Sequence, residues 1–130
     1  MALLDDIKAI LVAGGITSGD IYLGGLPETP DSVIAILQPG GGEPHLAMGA
    51  TVAEVHQIQI LTRGARDGWA ATRDQARTVH TLLKFDTGQT VNSVIYMSIL
   101  ALQQPFEITP DGAGQRPIFS CNYSVTREDV

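Results

Sequence analysis

A single cysteine, Cys121, is all this chain has, so no disulfide can form within it. A fold held without cross-links suits a reducing compartment. Charge is scarce as well: Asp, Glu, Lys and Arg make up 17% of the residues, below the roughly 25% of typical soluble domains. Positive charge is scarcest, with 8 Lys and Arg against 14 Asp and Glu, a net of −6. Gripping nucleic acid needs clustered cations to neutralise phosphates, and an acidic chain is a poor candidate for that task. Long apolar runs are missing too. The longest, Val94 to Leu102, is about half of the ~20 residues a membrane helix needs, so no membrane partner is expected. The opening MALLDDIKAI puts acids where a secretory signal carries positive charge, so no signal peptide is expected. Internal repeats, heptads and low-complexity tracts do not occur.

What is present suits one domain spanning residues 1–130, with 44% apolar residues. A chain of this size buries roughly 65–70% of its unfolded surface and needs no metal to fold. A charge-poor surface must still be covered. Gly, Ser, Thr, Gln and Asn supply part of that cover, and burial against other copies of the chain is a natural source of the rest.

The elements follow from periodicity. Leu3, Leu4, Ile7, Ile10 and Leu11 have helical spacing, with Asp5 and Asp6 in the first turn and Gly14 and Gly15 as the stop. Asp20 to Leu23 reads as a short strand. Val33 to Leu37 is apolar without alternation, the mark of a strand covered on both faces. The stretch QPGGGEPHLAMGATVA has no period and reads as a long loop, the chain's expected mobile segment. Glu54 to Thr62 reads as a strand. Asp67 is a good N-cap for a helix whose stripe is Trp69, Ala76, Val79, Leu82 and Leu83. Val94 to Leu102 reads as a central strand, apolar on both faces. In the last strand Phe119, Cys121, Tyr123 and Val125 alternate with Ser120, Asn122, Ser124 and Thr126, a half-buried antiparallel pattern. The order α, β, β, β, α, β, β implies an α+β fold: a mainly antiparallel or mixed sheet with both helices on one face. The other face, with Gln57, Gln59 and the short polar groups of the last strand, is left for water or a neighbouring subunit.

Reaction chemistry is hard to find. PGGGEPH lacks the Lys and Ser/Thr of a phosphate loop, and AGGITSGD follows a helix rather than a strand, so no nucleotide cofactor is expected. Glu43 and His45 stand two apart in a loop, too little for a metal site. His56, among isoleucines, and His80, in the second helix, have no carboxylate at ligand spacing. Cys121 points inward and reads as a small buried hydrophobe. No catalytic residue, cofactor site or metal site is assigned. Arg63, Arg66, Arg73 and Arg77 form the one basic cluster, which as a bare pattern is a solvated helix face. The segment Arg63 to Trp69 is nonetheless the best candidate contact patch, because Trp and Arg are enriched where proteins meet.

The order of parts resembles the tail terminator proteins of long-tailed bacteriophages, also described as minor capsid or tail-completion proteins. The matching pieces are DDIKAILVAGG, then IYLGGLPETPDSVIAIL, the Gly-rich loop, VHQIQILTRGARDGWAATRDQARTVHTLL, and the closing PIFSCNYSVTRE. The resemblance implies a virion protein, made in the host cytoplasm and built into the neck of the phage tail. It implies a homo-oligomeric ring, usually a hexamer, seated between the tail tube protein and the head–tail connector. DNA passes through the lumen without sequence-specific binding. The family has no catalytic residues to carry over. Its contacts lie on loops and sheet edges, and the candidate contact residues read from this chain are Glu43, His45, Arg63, Arg66 and Trp69. Two other readings make different demands. A head-completion or connector protein would form a ring facing the portal. A small host α/β enzyme or ligand-binding module would place His45, His56 or Cys121 in a polar pocket.

Overall fold

The computed structural model describes residues 3–41, 45–47, 50–84, 88–111 and 115–128. Those residues make an α+β fold, with one mixed sheet of eight strands and both helices on the same face. The first helix, α1 (Leu3–Ala13), buries Leu3, Ile7 and Leu11, spaced four apart on one side. A 3-10 turn at Ser18–Asp20 leads into strand β1 (Ile21–Leu23), followed by β2 (Val33–Gly41), β3 (His45–Ala47) and β4 (Ala50–Arg63). Helix α2 (Trp69–Leu83) comes next, then β5 (Gln89–Val91), β6 (Val94–Ala101), β7 (Phe106–Asp111) and β8 (Arg116–Glu128).

The two long strands form the spine. β4 and β8 pair antiparallel from Ala53 opposite Glu128 to Arg63 opposite Ile118. β2 and then β3 line the far side of β4, with β1 parallel to β2 at that margin. β6 and then β7 line the far side of β8, and β5 pairs with β6. Residues paired across strands share a face. Ile36, Ile60 and Cys121 therefore point with Ile58, Tyr123 and Val125 toward the helices, in one core with Ile7, Leu11, Val79 and Leu83.

Four sequence expectations need correction. The Gly-rich stretch is mostly strand in its described residues: the backbone of β2 continues to Gly41, opposite His56, and β3 pairs with the start of β4. Glycines give no side-chain alternation to read, so strand formation here depends on pairing with β4. The cap of α2 is Gly68 and not Asp67. The Gly68 amide donates to the Ala65 carbonyl at 2.8 Å, and this turn delays the helix by one residue. Two short strands, β5 and β7, are too brief and too rich in Thr, Gln and Pro to show a period. Finally, β6 is covered on one face only: Ile95, Met97 and Leu100 stand 40–51% exposed on the side away from the helices.

Two glycines stand at close approaches. A Cβ on Gly14 would lie 2.6 Å from Leu82 Cδ2, so the bare backbone lets the end of α1 rest on α2. A Cβ on Gly64 would lie 1.8 Å from Thr72 Oγ1, so the exit of β4 passes directly under the first turn of α2.

Candidate contact surface

The predicted patch divides in two. Arg63 is the last residue of β4 and is buried. Its Nε and Nη2 donate to the carbonyls of Asp31 at 3.0 Å and Pro30 at 2.8 Å. Arg116, on the same sheet face, donates to the Glu28 carbonyl at 2.7 Å and the Asp31 carboxylate at 3.1 Å. Together they clamp the β1–β2 connection over the sheet face opposite the helices, the face that carries the buried Val33 and Ala35. Arg63 therefore acts within the chain.

Arg66 and Trp69 remain at the surface. Trp69 opens α2 and is 44% exposed, so it is not the core anchor that helical spacing suggests. Its ring leans on Phe119 of β8 at 5.6 Å, and the Arg73 guanidinium lies over it at 5.2 Å. A cation in that position contributes about 0.5–1 kcal/mol at an exposed site. Arg73 also reaches Asp74 at 3.3 Å, yet its Nε is buried and has no hydrogen-bond partner among the described residues. Glu43 lies outside the described residues. So does the side chain of His45, whose backbone pairs with Ala53.

Sequence reading missed a polar network beneath α1. Asp6 is fully buried. Its carboxylate accepts from Tyr96 Oη and, at 2.7 Å, from Asn92 Nδ2, with Arg127 Nη1 3.9 Å away. Arg127 also donates to Glu54 at 3.3 Å, and Glu54 meets His56 Nε2 at 2.7 Å. Burial, and then the bond to Asp6, push the Tyr96 phenol well above its ordinary value. The network ties α1 to β6, β8 and β4. Its only sequence signal is Asp6 at the helical spacing of Leu3, which looks instead like first-turn charge.

A second buried cluster joins α2 to the sheet. His80 Nδ1 lies 3.2 Å from Tyr123 Oη and 3.7 Å from Cys121 Sγ. The thiol donates to the Gln103 carbonyl at 3.1 Å. Burial raises the thiol pKa and, together with nearby Lys84, lowers that of the imidazole. Both groups thus stay neutral, which is the wrong state for a thiolate–imidazolium nucleophile.

The depressed His80 fixes a sign. The unfolded chain takes up a proton near pH 6.5 and the folded chain resists it, so the neutral ring's stabilisation is present above pH 6.5 and is lost as pH falls toward the lower folded value. Melting temperature is expected to fall between pH 7.5 and pH 5, and less steeply in His80→Gln. Parallel pH profiles of the two proteins would show that His80 is not responsible.

A cleft of about 330 Å³ opens between the start of α2 and the start of β2, lined by Asp20, Arg63, Gly64, Thr72 and Gln75 among others. Neither His56 nor Cys121 lines it. Among the described residues no group of three or more His, Cys, Asp or Glu is placed to hold a metal, and no helix is long and apolar enough to cross a membrane.

The fold and these sites define a class: an α+β chain with two helices on one face of a mixed sheet, whose buried polar groups join elements to one another. No protein-family model matches the chain, and no curated protein matches it. Among solved structures, a chain in the virion of a native gene transfer agent particle superposes with a TM-score of 0.75 at 13% identity, covering 98% of this chain and 96% of that one. A second solved chain superposes with a TM-score of 0.54 at 11% identity, covering 98% and 88%. At such identities the likeness is one of fold.

Proposed function

We propose that this chain is a structural component of a phage-type virion, acting by assembly and not by catalysis. The observation that carries the reading is the end-to-end likeness to a chain of the gene transfer agent virion. The buried polar clusters agree with it, because both Asp6–Arg127–Glu54 and His80–Tyr123–Cys121 are engaged in holding elements together. Within that class we place it at the head-proximal end of the tail, as a ring that stops growth of the tail tube and receives the head connector. The DNA runs through the lumen, and the net charge of −6 suits a wall that does not bind it. The exposed aliphatics of β6 and the half-exposed Trp69 are surfaces that assembly would cover.

Mixing purified protein with tail tubes and with tail-less heads tests this role. Capping of tubes is expected. Binding to heads alone would make the chain a connector, and binding to neither would remove it from the neck.

Trp69→Ala separates contact from core. With 44% of the residue exposed, the melting temperature is expected to drop by only a few degrees, roughly 1 kcal/mol. Ring assembly is expected to weaken at least tenfold. An equal loss of both would make Trp69 a folding residue.

A further inference from the structure

We infer that neighbouring copies meet head to tail, the basic flank of α2 on one copy seated against the acidic connections before and after β1 of the next. This rests on the ring reading above and names its two contacting surfaces.

Charge is segregated on this molecule. Of the 8 Lys and Arg, Arg63, Arg116 and Arg127 are turned into the fold. Lys8 lies on α1. The remaining four, Arg66, Arg73, Arg77 and Lys84, all belong to α2 and the turns at its two ends. At 100° per residue Arg73, Arg77 and Lys84 fall within about 40° of one another, forming a ridge roughly 16 Å long. Trp69 stands beside that ridge. Three carboxylates, Asp67, Asp74 and Glu107, lie near it against four cations, so the excess is small and positive. The connections on either side of β1 are the reverse. Asp20 before it and Glu28 and Asp31 after it are exposed, with Arg116 as the local cation.

These surfaces are distinct. Trp69, beside the ridge, rests on Phe119 of β8 on the helix side of the sheet. The other flank of α2 carries Leu82, which meets Gly14 of α1, and Thr72 and Gln75, which line the cleft with Asp20. Glu28 and Asp31 lie on the connection that Arg63 and Arg116 hold against the opposite sheet face. A ring needs two different patches on each subunit that meet after a rotation, and patches that do not overlap meet that requirement.

Both surfaces also show unfinished chemistry. On the ridge, the Arg73 Nε is buried without a partner among the described residues. Beside the acids, Leu23 of β1 is 40% exposed. A nucleic-acid partner fits less well, because carboxylates interrupt the ridge and apolar side chains border it.

Charge reversal tests the pairing. One variant carries Arg73→Glu and Arg77→Glu, another Asp20→Lys and Glu28→Lys, and a third all four changes. All three are expected to melt within a few degrees of the parent. Each two-site variant is expected to form rings at least tenfold less at equal concentration, by light scattering and electron microscopy. An equal mixture of the two is expected to recover rings of alternating copies, and the four-site chain to recover rings alone. Two-site variants that assemble like the parent overturn the pairing and leave the ring reading standing. So does a loss that neither the mixture nor the four-site chain repairs, or intact rings that merely hold DNA less well. A parent chain forming no rings, with or without tail tubes, overturns the ring reading itself.

Discussion

Arg127→Met is expected to destabilise the fold by about 3–5 kcal/mol, the usual cost of removing one partner from a buried ion pair. For a chain of this size that is a fall in melting temperature of roughly 10–20 °C. Arg127 has 8% side-chain exposure and faces two carboxylates, Asp6 with no exposure and Glu54 with 23%. Methionine preserves most of the volume, so the loss reports charge and hydrogen bonding and not a cavity. Without the guanidinium, Asp6 keeps Tyr96 and Asn92 as donors but loses the cation beside it. Asp6→Asn added to Arg127→Met is therefore expected to recover part of the loss. Chemical denaturation of the two single variants and the double gives the coupling directly. A cost below about 1 kcal/mol for Arg127→Met would show that the network is solvated and not structural.

Tyr123→Ala is expected to cost a similar amount, about 3–5 kcal/mol, as large aromatic deletions in cores do. Tyr123 is fully buried at the middle of β8 and packs among Ile58, Ile99 and Val79 in one core. Its hydroxyl meets the ring of His80 on α2, 5.9 Å away between centroids. The ring and the hydroxyl are separable. Tyr123→Phe keeps the packing and is expected to cost only about 1 kcal/mol, the net value of one hydrogen bond. A Phe variant as unstable as the Ala variant would mean that the hydroxyl, and not the ring, holds α2 to the sheet.

Legibility in the sequence tracks how local each cause is. The last strand and α1 can be read because alternation and helical spacing are written in neighbouring side chains. The class, α+β with helices on one face, follows from their order. The run from Gln38 to Val52 cannot be read: its described strands exist because β4 offers amides and carbonyls for pairing, and glycines leave no pattern. Arg63 reads as outward-facing because a basic cluster in a loop looks solvated. Its partners, the carbonyls of Pro30 and Asp31, are more than thirty residues away. The joining of Asp6, Arg127 and Tyr96 gives no signal for the same reason, since the hydrogen bonds among them span 31 and 90 residues. Arg66 is legible as a surface group, whereas helical spacing places Trp69 in the core stripe and only the fold shows it 44% exposed.

Whether this chain ends the growth of a tube is best measured by adding it, at increasing ratios, to polymerising tail tube protein and recording tube lengths by electron microscopy. Tubes shortened in proportion, each bearing a ring of this protein at one end, is the expected result. Tubes of unchanged length with the protein free in solution as single copies would contradict it.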